Sequence, residues 1–282
     1  MSNHYFINEN KKLVWTNMQD GEKYRIEFVR DDYPDNPIYE DCFVSKIYCW
    51  HRRYNIGLKH DFDTPLEYWG YLVRCAVPAS QIIEKAMSGG FEEITVEKHG
   101  DRYDVLYPKY PEESFMGVSL TQAVDLFVDE LDIRACQSLL EDYVAWLPVW
   151  MYDHSGYTIS AEENNPFSCP WDSGQLGIAV ILKKDMISGG INEANESNWK
   201  EKAIECIKDE VKTYNSYLSG DVYGYYMYYL PEPGQDCDDC WKDYTDGPVY
   251  GWYGDDIFTN GMLFDIGEGL QEALENGTYT EI

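Results

Sequence analysis

Reactive side chains crowd one stretch of the chain, Tyr152 to Gln175, which reads YDHSGYTISAEENNPFSCPWDSGQ. It holds Asp153, His154, Ser155, Cys169, Asp172, Ser173 and Gln175, punctuated by Gly156, Pro166, Pro170 and Gly174. Asp153-His154-Ser155 has the residue types of a hydrolytic triad but not its geometry. Neighbours along an extended chain point to opposite faces, whereas a triad needs three side chains converging in series. Cys169 as nucleophile with His154 as base is the better pairing, because a loop can fold the thiol back onto the imidazole. The competing reading makes Asp172, Ser173 and Gly174 a turn, which their types favour.

Three further groups could do chemistry. Cys237-Asp238-Asp239-Cys240 has the spacing of half a zinc site or of a redox pair, but no second such pair and no closely spaced His pair completes it. Two intervening Asp also disfavour thiolates in a thioredoxin-like role. Gly251-Trp252-Tyr253-Gly254-Asp255-Asp256 reads as an aromatic, acidic surface turn, with cation coordination as the alternative. Trp50-His51-Arg52-Arg53-Tyr54 is the most basic run in the chain, suited either to pairing with Asp61 and Asp63 or to an anionic ligand. No Gly-rich phosphate loop is present.

The elements that must position these groups follow from periodicity and caps. Lys12 to Thr16 and Tyr24 to Val29 read as strands. Thr64-Pro65-Leu66-Glu67 starts a helix that runs to about Cys75, and a second helix follows Pro78, with Gly89 as its stop. Phe91 to Glu97 and Arg102 to Tyr107 read as a hairpin, with His99 at its turn as a solvated residue. Ser119 and Gln122 form a capping box, and Ile133 to Val144 is a second amphipathic helical segment. Trp146 to Met151 and Leu176 to Leu182 are apolar strands that would clamp the central stretch as one loop. A helix capped near Asn195 to Asn198 runs to Gly220, then a Tyr-rich strand from Asp221 to Leu230, then a short helix near Leu270. The expected class is α+β, with a mixed or mainly antiparallel sheet packed by several helices. The expected division is an N-terminal region, 1–145, and a C-terminal region, 146–282, with one continuous domain as the alternative.

Charge narrows the partners. Against 22 basic residues stand 51 acidic ones, a formal net charge of −29. From Glu232 to Ile282 there are 13 acidic residues and one Lys, Lys242, a local net of −12. Such a field opposes phosphate backbones and anionic membranes, so direct nucleic-acid or membrane binding is not expected. It suits either simple solubility or an acidic surface that mimics nucleic acid toward a basic protein. With 25 Tyr and 9 Trp, some aromatics are expected in contact surfaces. The eight scattered Cys read as reduced thiols, and with neither a leader-like start nor a long apolar run the expected location is cytoplasmic.

Several motifs agree with one family. The runs Tyr152 to Gly156, Phe167 to Gln175, Cys49 to Tyr54 and Tyr217 to Gly224, together with Cys240-Trp241, Gly251 to Asp256 and Asn260-Gly261-Met262, resemble a widespread family of uncharacterised proteins of bacteriophages, prophages and other mobile elements. Residues 80 to 145 do not take part in the likeness. The resemblance implies a setting, the bacterial host cytosol, and no catalytic residues. In that setting an acidic accessory protein is expected to inhibit a host defence protein or complex that has a basic surface. The contact residues would be Trp50, His51, Arg52, Arg53, Asp153, His154, Trp171, Asp172, Ser173, Gln175, Tyr223, Tyr225, Trp252 and Tyr253. A homo-oligomer stays open, and no cofactor is expected. Two alternatives stand beside it: a cysteine enzyme using Cys169 and His154, and a nucleotide-sequestering module with His51, Arg52 and Trp171 at its pocket.

Overall fold

A computed structural model describes residues 4–9, 11–91, 93–232 and 237–282. Among them are eight α-helices and thirteen strands. Strands β1 (Lys12–Thr16) and β2 (Lys23–Arg30) pair antiparallel, Leu13 opposite Ile26 and Trp15 opposite Tyr24, and alternation along each buries one face. After β3 (Lys46–Cys49), helix α1 (Pro65–Ala76) starts as its residues require. The Thr64 hydroxyl accepts the Glu67 N–H at 3.2 Å, and the Glu67 carboxylate reaches back to the Asp63 N–H at 2.7 Å.

Helix α2 (Ala79–Met87) follows, then β4 (Thr95–His99) and β5 (Arg102–Leu106), joined at Gly100 with φ of 66°, then β6 (Phe115–Val118). Helix α3 (Leu120–Asp129) carries the full Ser119–Gln122 capping box, and Asp132 caps α4 (Ile133–Leu140). Arg74 ties α1 to α3 through Asp125 at 3.0 Å and Asp129 at 2.6 Å. The rest of the chain forms β7 (Val144–Asp153), β8 (Tyr157–Ala161), β9 (Ser173–Leu182), α5 (Lys183–Ser188), α6 (Trp199–Ser219), β10 (Val222–Leu230), β11 (Lys242–Asp243), β12 (Val249–Tyr253), α7 (Met262–Ile266), α8 (Glu268–Asn276) and β13 (Tyr279–Glu281).

Three sheets result: β11-β10-β2-β1-β13 with β12 also on β10, then β3-β9-β7-β8, then β4-β5-β6. The class is α+β with antiparallel sheets, as expected. No helix among the described residues is long and apolar enough to cross a membrane.

The chain divides into two interleaved units, 1–43 with 151–160 and 210–282, and 44–150 with 161–209. The core of the first holds Leu13, Trp15, Ile26, Phe28, Tyr225 and Met262. That of the second holds Tyr68, Trp69, Phe127, Cys136, Leu140 and Ile178.

Three expectations are corrected. The helix expected over 133–144 ends at Leu140, because a turn closed by the Tyr143 N–H on the Leu140 carbonyl at 2.9 Å turns Val144 into β7. The stretch 152–175 is not one loop. Ile159 and Ala161 alternate inward along β8, and the Asn215 side chain accepts the Ile159 N–H at 2.7 Å. The first half of the expected Gly251 to Asp256 turn is instead strand, since β12 pairs with β10 and sets Trp252 opposite Tyr223, and the chain bends only after Tyr253.

Two measurements check these constraints. At Gly177 of β9 a Cβ would collide with the Tyr48 carbonyl and lie 2.8 Å from the Cys49 Cα. Gly177→Ala should therefore cost about 1–3 kcal/mol, read from the urea midpoint. Burial works against ionisation of Asp256, but hydrogen bonds from His4 Nδ1 (2.6 Å) and from the Phe258 and Tyr5 N–H groups outweigh it and hold the carboxyl below its ordinary 3.8. Its stabilisation is full above that ordinary value and is lost as pH falls through the lower folded value. Asp256→Asn should flatten the acid limb of a Tm-against-pH profile, and an unchanged acid limb would refute the assignment.

Candidate functional site

The loop over 162–172 is built from its own polar groups. Asn165 accepts the Phe167 N–H at 3.0 Å and donates from Nδ2 to the Ser173 hydroxyl at 2.9 Å. That hydroxyl donates to the Cys169 carbonyl at 2.6 Å, and the Cys169 thiol donates to Asp172 at 3.4 Å. At the base, Trp150 Nε1–H donates to the Glu162 carbonyl at 2.8 Å, while Lys208 pairs with the Glu162 carboxylate at 2.7 Å. Pro166 and Pro170 restrict φ further. The product is a braced loop whose largest apolar side chain, Trp171, is 92% exposed.

The expected nucleophile and base lie in different units, Cys169 in the second and His154 in the first. The Cys169 proton is directed to a carboxylate of its own loop. His154 lies in a tight turn, its N–H donating to the Gly156 carbonyl at 2.9 Å across Ser155 at φ of 61°, and its ring stacks on Tyr152 at 6.0 Å. Asp153 ends β7 just before that turn. Asp172 and Ser173 act within the loop brace, and Gln175 donates to the Gly177 carbonyl at 3.2 Å on an otherwise exposed part of β9.

The basic run follows β3 and is held by an aromatic cluster. Trp50 Nε1–H donates to the Phe62 carbonyl at 3.0 Å, and its ring packs on His60 at 4.9 Å, which also touches Tyr48 and Phe62. His60 Nε2 bonds the Cys49 carbonyl at 3.0 Å. The His51 ring stacks on Tyr54 at 5.0 Å and accepts the Arg53 N–H at 3.3 Å, while the Arg53 guanidinium lies over Tyr54 at 5.5 Å. Arg52 is exposed. Burial pushes the Cys49 thiol up to about 12, so this cysteine is no nucleophile at neutral pH.

Other candidates are placed differently from their expected roles. Tyr223 and Tyr225 are only 6% and 3% exposed; alternation along β10 turns both rings into the core, so they supply packing and not a contact surface. The Tyr225 hydroxyl donates to Asp265. Trp252 packs partly buried against that core, and the Tyr253 hydroxyl, raised to about 12 chiefly by burial, donates to the Asp35 carbonyl at 2.7 Å. Cys237 and Cys240 are joined as a disulfide, which corrects the expectation of eight reduced thiols and leaves neither sulfur as a metal ligand. Among the described residues no group of three His, Cys, Asp or Glu could hold a metal ion.

Sequence reasoning placed the tryptophans of β7 in an apolar strand but did not foresee that they line a cleft. Trp146 and Trp150, with Pro148 between them, stand at i, i+2 and i+4, and that period-two signal was legible.

Two experiments test the local chemistry. Ser173→Ala removes both bonds made by that hydroxyl. It should cost about 1 kcal/mol in global stability while sharply raising amide hydrogen exchange over 165–173; unchanged exchange would show that the hydroxyl does not brace the loop. At pH 8 in the folded chain, iodoacetamide should label the exposed Cys42 and Cys75 and spare Cys49.

Searches against protein-family models, curated proteins and solved structures found no match to this chain.

Proposed function

We propose that this chain is a protein-binding factor of a mobile element, acting in the bacterial cytosol, and that it blocks a host defence protein by docking on that protein's basic face. The observation that carries the reading is Trp171, 92% exposed in the turn that leads into β9, in a loop whose polar groups are bonded to one another. An exposed indole has no stabilising role in the free chain, yet it is the side chain most enriched at interface hot spots. Because folding already orders the loop, association loses little further entropy there. The net charge of −29 supports the choice of partner, since it steers the chain toward cationic surfaces and away from nucleic acid. The likeness to phage and prophage proteins supports a defence protein as the target.

The test is plating efficiency of a phage on hosts that each carry one defence system, with matched hosts lacking it. The wild-type chain should raise plating in at least one defended host only. Trp171→Ala should lose most of that effect with its Tm unchanged, as expected for a hot spot worth about 2 kcal/mol or more, roughly 30-fold in affinity. Full activity of the variant, or no rescue against any system, would sink the proposal.

A further inference from the structure

On β7, Trp146, Pro148 and Trp150 share one face, with both indoles half-buried and the proline buried. Trp69 of α1, itself buried, meets Trp146 edge to face at 5.1 Å. The face opens into a cleft of about 660 Å³ lined by Trp50, Trp69, Trp146 and Trp150. Its polar groups are the carboxamides of Gln137 and Gln175 and the carboxylate of Glu163. Trp50 also lines a second cavity, of about 830 Å³. The second cavity carries Arg52, Arg53 and Lys59, set against Asp61 and Asp63.

We infer that the two cavities form one site for a purine mononucleotide, whose base stacks among the indoles and whose phosphate meets Arg52, Arg53 and Lys59. This site is separate from the Trp171 reading and does not depend on it. Indole faces stack on any base, with about 1–3 kcal/mol per base in comparable sites. Purine N–H groups find acceptors in Glu163 and the two carboxamides, and guanidinium groups match phosphate geometry. The rings are fixed in advance, because the Trp50 and Trp150 N–H groups already donate to the Phe62 and Glu162 carbonyls.

Other occupants fit less of the site. A neutral sugar would use the indoles and carboxamides but leave the arginines without a role. A quaternary ammonium would suit the indoles and Glu163 but meet the adjoining cations. A nucleic-acid strand would carry its phosphates across a chain of charge −29. A mononucleotide is governed by charges within about one Debye length, about 8 Å at physiological salt, and in the second cavity Arg52, Arg53 and Lys59 outnumber Asp61 and Asp63 by one.

Calorimetric titration of the full chain with GMP and AMP tests the site, beside guanosine, ribose 5-phosphate, methyl glucoside, tetramethylammonium and a short single-stranded oligonucleotide. At least one mononucleotide should bind saturably and about tenfold or more tighter than every other probe. Arg52→Gln and Glu163→Gln, both at exposed positions where the fold should survive, should each weaken it several-fold, and Trp146→Ala more. Trp171→Ala should leave it unchanged, which separates this site from the docking loop. The inference is overturned if neither mononucleotide binds at millimolar concentration, if any other probe binds as tightly, or if Arg52→Gln and Glu163→Gln are both without effect in folded protein.

Discussion

The close approach of β3 to β9 is the constraint on which the second unit's surface depends. Gly177 lacks a side chain where the Tyr48 carbonyl and the Cys49 backbone press against it, and the pairing continues beyond β3 through the Trp50 N–H on the Leu176 carbonyl at 3.2 Å. That bond sets the first residue of the basic run beside the strand that leaves the Trp171 loop. Gly57, at φ of 86°, then turns the chain back so that the Leu58 N–H reaches the Ile47 carbonyl at 2.8 Å. Without these two glycines the aromatic cluster around Trp50 and His60 would lose its floor.

Architecture and chemistry compete for the same side chains, and in the central loop architecture prevails. Asn165, Cys169, Asp172 and Ser173 are all types found in active sites, yet each is engaged in a bond that closes the loop. Satisfying polar groups locally makes a rigid loop at the expense of a reactive one. Its rigidity is what allows a large apolar ring to project into water without collapsing onto the nearest surface.

Much of the fold was legible because caps and periods are local. Thr64 and Ser119 act on N–H groups three residues away, and the β1 and β2 patterns depend only on alternation. What sequence could not supply is which face of an element is covered. Tyr223 and Tyr225 alternate as a contact strip would, and the same alternation serves a core, because a tyrosine ring can be buried if its hydroxyl finds a partner such as Asp265. In the same way, Trp146 and Trp150 read as part of an apolar strand, and nothing local distinguishes a covered face from one that lines a cleft. Only residues 162–172 of the expected loop are loop, because β8 before them depends on Asn215, far along the chain, supplying the acceptor for Ile159.

The charge of the whole chain and the charge at a point answer different questions. Fifty-one carboxylates set the long-range field and so decide what approaches, but salt screens that field within about 8 Å. Inside that distance, Arg52 and Arg53 stand on a loop stiffened by ring stacking, with the guanidinium of Arg53 against Tyr54. A cation held in place on an acidic protein is selective: polyanions are repelled before they reach it, whereas a small anion with an apolar end is not. The same physics lets an exposed indole, Trp171, and a cluster of cations, Arg52 and Arg53, stand on one acidic unit without conflict.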